Sequence, residues 1–256
     1  MSNKLLRVEG NSYFSDFKAI DDDLLLFHRS HYRRSDSNEI DVFGQMWSLG
    51  IADLSPNQVS VKRNGEVVTR SGLWAAFIPP FNIVDWHIKA GLIEWKAYLS
   101  SRELPIDIPQ KAFAFPLKKH VNINNFNDLV EVIRGRDSTL FIDKQEHPKD
   151  LALHIKLLIE ENYQDEMSIV ELAKQCNVSH SFMTRIFKQS FGVTPKAYKN
   201  KLRISESVRL MLTKNFNVTR AGYKVGFNDS SRFSKQFFTY MNAVPSEFCL
   251  QKKIRD

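Results

Sequence analysis

The chain has 256 residues and a formal net charge of +7, with 43% hydrophobic and 25% charged residues. These proportions indicate one or two folded domains and exclude a disordered tail. No run of about 18 apolar residues is present, so we expect no membrane partner. The first residues lack a secretory signal, and Cys176 and Cys249 form no CxxC pair, so we expect a cytoplasmic protein without disulfides or structural zinc.

The positive charge lies entirely in the second part of the chain. Residues 1–150 carry 19 Lys and Arg against 20 Asp and Glu, whereas residues 151–256 carry 17 against 9. From Leu172 to Ser205 there are seven basic residues and no acidic one. A solvated surface can carry such a charge, but a basic domain beside a neutral one also indicates that only the basic domain meets a polyanion.

The first 125 residues have the pattern of a β domain. Asn64-Gly65 separates two alternating runs, 59–63 and 66–69, which is a strong signal for a hairpin because both turn positions need positive φ. A third run, 73–78, ends at Pro79-Pro80, since proline cannot donate to a strand ladder. We predict a sandwich or small barrel over residues 1–125.

Residues 126–150 are predicted to connect two domains. A short helical pattern covers Phe126–Arg134, and the charged stretch 135–150 has little periodicity and is interpreted as a linker. From Leu151 onward the apolar spacing is helical. Ser168-Ile-Val-Glu171 is a capping box, and Thr194-Pro195 places proline at the first position of another helix.

An internal repeat is the most informative feature of residues 151–256. Residues 169–178 align with 218–227 at an offset of 49, and residues from Met183 onward align at an offset of 50. Asn177 aligns with Gly226 and Gly192 with Asn242, which are the residue types that best tolerate the left-handed conformation at a helix end. Each repeat is therefore predicted to be a helix, a tight turn and a second helix.

The second helix of each repeat is predicted to present a polar face to DNA. Such a helix enters a major groove with small or hydrogen-bonding side chains near its start and with Arg or Lys in reach of bases or phosphates. A solvated bundle surface is the alternative for either helix alone, but two matching helices in a basic domain favour DNA. The predicted DNA-binding residues are His180, Ser181, Thr184, Arg185, Lys188, Ser230, Ser231, Arg232, Ser234 and Lys235.

Residues 151–256 resemble the DNA-binding domain of AraC/XylS-family bacterial transcription regulators. The resemblance is carried by Phe191-Gly192-Val-Thr-Pro195 and Val244-Pro245-Ser-Glu-Phe248, together with Leu172-Ala173, Val178-Ser179 and Val225-Gly226-Phe227. Gly222 stands where the family usually has alanine, and Asn242 where it usually has glycine. The resemblance implies an all-α domain of seven helices with two helix-turn-helix units. It also implies promoter DNA and RNA polymerase as partners, a place on the bacterial nucleoid, and a role more often in activation than in repression.

The N-terminal part more weakly resembles the cupin-like effector domains of such regulators, through Gly72, an apolar strand and Pro79-Pro80. Catalysis is not expected, because His28 and His31 would point to opposite faces of a strand and His87 and His120 are isolated. We predict no cofactor and no metal. Three hypotheses follow: a regulator modulated by a small organic effector, a DNA-binding protein whose first domain only forms a homodimer, and a cupin metalloenzyme with a DNA-binding tail. The sequence does not identify the effector-binding residues.

Overall fold

A computed structural model describes residues 5–63, 66–142 and 149–249, with the side chains of 62, 63 and 66 left out. The chain divides into two compact units, Met1–Gln145 and Glu146–Asp256. The first is mostly β and the second is all helical. Within the described ranges, no helix has the length and apolar character needed to cross a membrane.

The described residues of the N-terminal unit form two sheets and one helix. Its strands are β1 Leu6–Gly10, β2 Tyr13–Ala19, β3 Leu24–Arg33, β4 Ser37–Val42, β5 Trp47–Leu54, β6 Val59–Arg63, β7 Glu66–Thr69, β8 Gly72–Ile78, β9 Ile83–Ile88, β10 Gly91–Ser100, β11 Phe113–Pro116 and β12 Leu140–Phe141. Eight strands form one sheet in the order β1-β2-β3-β10-β5-β8-β11-β12, and four form a second in the order β4-β9-β6-β7. The mostly-β prediction is confirmed, and among the described strands the ladders form two sheets.

The eight-stranded sheet is covered on both faces. On one face, Leu49, Phe77 and Phe113 are fully buried and pack with Leu129 and Ile133 of helix α1, Phe126–Arg134. On the other face, a second core joins this sheet to the four-stranded sheet; its buried members are Val61, Ile78, Val84, Ala112 and Ile142. The N-terminal unit is therefore layered as helix, large sheet and small sheet.

The predicted hairpin is present as a strand pair. β6 and β7 are antiparallel, with Val61 opposite Val68 and Arg63 opposite Glu66, while the turn residues Asn64 and Gly65 lie outside the described residues. The segment 135–150 differs from the linker interpretation, because β12 pairs with β11 at the edge of the large sheet. Only two residues form that strand, which is too short to produce a periodic sequence pattern.

The described part of the C-terminal unit, residues 149–249, has the predicted seven helices. They are α2 Asp150–Asn162, α3 Ile169–Gln175, α4 His180–Phe191, α5 Pro195–Thr213, α6 Val218–Lys224, α7 Ser230–Met241 and a final 3-10 helix, Pro245–Phe248. The capping box at Ser168 and the Thr194 cap before Pro195 are both formed. Local sequence therefore sets where these helices begin.

Buried polar side chains fasten α5 to α2 and to the loop after α2. The Tyr198 hydroxyl donates to Glu160 Oε1 at 2.6 Å, and Lys156 also contacts that carboxylate. Arg203 Nη2 donates to the carbonyl oxygen of Asp165 at 2.7 Å, and its guanidinium lies 5.3 Å from the centre of the Phe227 ring. The central helix is therefore held by hydrogen bonds as well as by apolar packing.

Lys199 corrects one expectation from charge counting. Charge alone predicts phosphate contacts by residues such as Lys188, Lys199 and Lys201, but Lys199 is only 8% exposed. Its ammonium donates to the carbonyl oxygens of Asp165 at 3.0 Å and Met167 at 2.7 Å. Burial lowers its pKa to about 8. Lys199 therefore holds the loop between α2 and α3 and is not available to DNA.

Candidate nucleic-acid interface

The repeat found in the sequence is a repeat of structure. Helices α3 and α6 each have seven residues and start 49 residues apart, and α4 and α7 each have twelve and start 50 apart. The turn between the helices contains Asn177 at φ 54° in the first unit and Gly226 at φ 86° in the second. The second helices end at Gly192, φ 75°, and Asn242, φ 52°. All four predicted left-handed positions are thus confirmed.

The inner faces of α4 and α7 are built on the same aromatic arrangement. Phe187 is fully buried and its ring centre lies 5.6 Å from that of Tyr198; fifty residues later, Phe237 lies 5.1 Å from Phe248. Gly222 allows a close approach in the second unit, because a Cβ there would lie 3.0 Å from Phe233 Cδ1. Packing of this kind fixes which faces of α4 and α7 point outward.

The ten predicted DNA-binding residues all lie on the first three turns of α4 and α7, and none is buried. Thr184 and Ser234 are half-buried at equivalent positions. The other eight are exposed: His180, Ser181, Arg185, Lys188, Ser230, Ser231, Arg232 and Lys235. Neither helix has an acidic side chain in its first turn. The start of each helix is therefore a polar surface without carboxylates on the helix itself, as a groove-binding helix needs.

The two outer faces are not identical. Exposed Phe182 of α4 occupies the position of Arg232 in α7, and Lys188 occupies that of exposed Phe238. In α4 the Arg185 guanidinium lies 5.3 Å from the centre of the Phe182 ring, which orients the arginine by a cation–π contact. Phe182 is not among the predicted DNA-binding residues, because those were chosen for small or hydrogen-bonding side chains and for Arg or Lys.

The helix starts supply further hydrogen-bonding capacity. Ser179 accepts a hydrogen bond from the amide of Phe182, and Asp229 accepts one from the amide of Arg232. One amide in each first turn is therefore satisfied by the cap, and helix starts in DNA-binding proteins use the others for phosphates. Arg185 and Lys235 lie one turn farther along α4 and α7.

Residues 172–251 match the family described as helix-turn-helix domain. The transcriptional regulatory protein HptR of Staphylococcus aureus is 34% identical over 95 residues, which are 37% of this chain and 37% of that protein. The second unit carries an AraC-type helix-turn-helix domain. The lactose operon transcription activator of Staphylococcus xylosus is 22% identical over 142 residues, covering 52% of this chain and 50% of the relative. The matched regions thus span about a third to a half of these curated relatives.

Two solved structures are also similar to this chain. The C-terminal domain of the response regulator yesN from Fusobacterium nucleatum is 26% identical, with a TM-score of 0.36, over 38% of this chain and 94% of that one. ToxT from Vibrio cholerae is 13% identical, with a TM-score of 0.49, over 89% of this chain and 98% of that one.

The histidines of the N-terminal unit are dispersed. His28 Nε2 lies 2.9 Å from Glu94 Oε1, while His31 on the opposite face of β3 has its ring 5.8 Å from that of Tyr13. His87 Nδ1 lies 2.6 Å from Asn38 Oδ1. In the part of the chain that the structure describes, no three His, Cys, Asp or Glu side chains come together in a group that could hold a metal ion.

Proposed function

We propose that this protein is a sequence-specific transcription regulator whose two recognition helices, α4 and α7, bind successive major grooves of promoter DNA. The observation that carries the proposal is the pair of matched outer faces, set by matched buried faces in one basic unit. Residues 1–145 have no net charge and residues 146–256 have +7, so the attraction to phosphates belongs to the helical unit.

The length of α5 suits this mode of binding. Its 19 residues extend about 28 Å at a rise of about 1.5 Å per residue. Successive major grooves on one side of DNA are about 34 Å apart, so two helices joined through such a rod fit neighbouring grooves with modest bending of the DNA. Because Phe182 and Arg232 occupy equivalent positions, the two half-sites should differ in sequence and the whole site should have a direction.

The proposed specificity residues are Arg185 in one groove, and Lys235 with Arg232 in the next. Arg185→Ala should weaken binding to the specific site by about 1–3 kcal/mol and leave non-specific binding present. Lys174→Ala is the matched control, because Lys174 is an exposed cation on α3, outside the recognition helix. Fluorescence anisotropy with promoter DNA at physiological salt measures both. Equal affinities of Arg185→Ala and the unchanged protein would contradict the assignment.

We further propose that the N-terminal unit binds a small organic effector that modulates DNA binding, and that the regulator activates transcription by contacting RNA polymerase. The activator role is favoured by the name of the Staphylococcus xylosus relative. An effector that alters DNA affinity must bind the two states of the protein differently. Measuring DNA affinity with and without candidate compounds therefore tests the regulation. The second candidate function is a homodimer formed through an N-terminal unit with no ligand, and it predicts no response to any compound.

A further inference from the structure

Small side chains line the space between the two sheets of the N-terminal unit. Ala97, Gly50, Ala76 and Ala114 lie directly opposite one another across β10, β5, β8 and β11, so they share one face of the large sheet. Ala76 and Ala114 pack into the core shared with the small sheet, which shows that this face is the inner one.

At Gly50 this row borders space that the described atoms leave open. A Cβ built on Gly50 would meet only the Ala76 carbonyl oxygen, at 3.8 Å, among the described atoms within 4 Å. Gly50, Ala76 and Ala114 are also partly accessible, although they lie between two sheets. Well-packed interiors leave few such gaps, so the row of small residues leaves room for a guest.

Two arginines and a histidine of β3 project onto the same inner face. Arg29 lies directly opposite Trp95, which is two residues before Ala97 on β10. His31 and Arg33 follow Arg29 at alternate positions of β3, so all three share one face. Arg29 Nε, His31 Nδ1 and Arg33 Nε are buried, and none of these atoms has a hydrogen-bond partner among the described residues. Arg33 is nine-tenths buried, with a side-chain exposure of 10%. Buried polar atoms normally have partners, so three unpaired nitrogens on one face need an explanation.

The local charge on this face is positive. Arg33 is paired with Glu39 of the small sheet and donates to Ser37 Oγ at 2.8 Å, whereas the Arg29 guanidinium stacks 4.9 Å from the centre of the Tyr13 ring. Burial lowers the pKa of His31, and the neighbouring Arg33 and Arg29 lower it further. Burial also lowers the pKa of Arg29, to which Glu39 and Asp41 are the nearest acids. An anion would satisfy these cations where the protein supplies too few carboxylates.

We propose that an organic oxyanion binds between the two sheets, with its charged group on Arg29 and His31 and its apolar body over the row of small side chains. Trp95 forms one apolar wall, because it lies opposite Arg29 and its ring meets that of Phe27 edge to face at 4.8 Å. The planar guanidinium forks of Arg29 and Arg33 match carboxylates and phosphates alike. This proposal rests on the effector role proposed above, and names the chemical class of the effector.

Intrinsic tryptophan emission of the full chain provides the binding assay, because all four tryptophans, Trp47, Trp74, Trp86 and Trp95, belong to the N-terminal unit. The probes are octanoate and benzoate as carboxylates, octyl phosphate and phenyl phosphate as phosphates, and octanol and benzyl alcohol as neutral controls. We expect at least one anion to produce a saturable change that its neutral counterpart does not. Comparison of the carboxylate and phosphate arms identifies which oxyanion the site prefers.

Two variants test the assigned position. Arg29→Met removes the charge but keeps the length of the side chain, and should weaken anion binding about ten- to a hundredfold. Arg34→Met is the matched control, because Arg34 is an exposed cation just beyond the end of β3, and it should change binding less than about twofold. Gly50→Val fills the space in a strand position suited to a β-branched residue and should abolish binding while circular dichroism stays unchanged.

The outcomes distinguish failure of the oxyanion site from failure of the proposed regulation of DNA binding. Absence of anion binding, or equal binding of the neutral compounds, overturns the oxyanion site. Equal weakening by Arg29→Met and Arg34→Met also overturns it, because the effect would then be one of general charge. Saturable anion binding that leaves DNA affinity unchanged supports the site and contradicts its regulatory role. A neutral compound that alters DNA affinity supports regulation without this anion site.

Discussion

At the scale of single residues, Phe182 is the side chain whose exposure most needs a reason. It is 38% exposed near the start of α4 and carries the Arg185 guanidinium over its ring. Apolar side chains on recognition helices contact the thymine methyl group in the major groove. We therefore predict that Phe182 reads a thymine beside the base contacted by Arg185.

Replacing that thymine by uracil removes only the methyl group and makes the test direct. The unchanged protein should lose about 1 kcal/mol of binding free energy on uracil-containing DNA, whereas Phe182→Ala should not distinguish the two DNAs. Phe238→Ala, in which an exposed aromatic is removed farther along α7, is the control. Anisotropy titrations on the paired oligonucleotides measure the difference. Discrimination that survives in Phe182→Ala at every thymine of the site would contradict the prediction.

Gly226 is a second residue to consider by itself, because its position leaves no room for a Cβ. Its φ is 86°, and a Cβ would overlap the Gln164 carbonyl oxygen and lie 2.7 Å from Arg203 Nη2. We expect Gly226→Ala to destabilise the folded protein by about 3 kcal/mol or more, because left-handed strain and a backbone clash add. Asn177→Ala at the equivalent, exposed turn should cost only about 1–2 kcal/mol. Urea denaturation followed at 222 nm compares the two variants, and equal losses would exclude the clash as the cause.

At the scale of elements, the loop between α2 and α3 depends on a buried cation. Lys199 has a pKa of about 8, below its ordinary 10.5, because burial disfavours the charged form. Between these two values the unfolded chain binds a proton that the folded chain has released, so the contribution of Lys199 to the free energy of unfolding rises with pH. From pH 7 to pH 9.5 the calculated gain is about 2 kcal/mol.

Lys199→Met isolates this contribution from the other groups that titrate at high pH. The difference in unfolding free energy between the unchanged protein and Lys199→Met should grow by about 2 kcal/mol in favour of the unchanged protein over that pH interval. Chemical denaturation at the two pH values provides the numbers. A difference that is independent of pH would mean that Lys199 has an ordinary pKa in the folded state. The same variant should leave the salt dependence of DNA binding unchanged, whereas Lys188→Ala should reduce its slope by about one.

Elements whose signals are local were predictable from the sequence, and those that depend on distant partners were not. The caps at Ser168 and Thr194 and the left-handed ends at Gly192 and Asn242 are properties of a few neighbouring residues. By contrast, β3 pairs with β10, and the paired residues, from Arg33 with Gly91 to Leu24 with Ser100, are far apart in sequence. Nothing in either strand encodes that partner. The number of sheets and their inner face therefore required the structure.

The candidate site also has features that the sequence predicted and features that only the structure shows. The alternation of buried and exposed positions on α4 and α7 followed from helical period, so the ten polar residues were found from sequence. Lys199 was misassigned because a charge count does not tell whether a lysine is buried against carbonyl oxygens. Phe182 was not predicted, because the sequence does not show that an apolar residue beside the buried face of α4 is exposed.

At the scale of the whole molecule, the separation of charge predicts a separation of tasks. Residues 146–256 carry 18 Lys and Arg against 11 Asp and Glu, while residues 1–145 carry 18 of each. DNA affinity that comes from phosphate neutralisation falls linearly with the logarithm of salt concentration, with a slope of about −0.9 for each phosphate contacted. Because the neutral unit has no excess cations to offer, we predict that it adds nothing to this slope.

The test compares the full chain with a fragment of residues 146–256, which has its own buried core of α2, α4 and α5 around Ile155, Met183, Phe187, Tyr198 and Leu202. When one copy of each protein binds the DNA, both should give the same slope between about 50 and 200 mM salt. Lys188→Ala in both proteins checks that the assay resolves the loss of one contact. A steeper slope for the full chain than for the fragment would have two explanations. Either the N-terminal unit contacts phosphates, or a second copy of the protein binds the DNA. Sedimentation of the full chain on the same DNA then counts the copies, and a single copy with the steeper slope would contradict the assignment of all phosphate contacts to the helical unit.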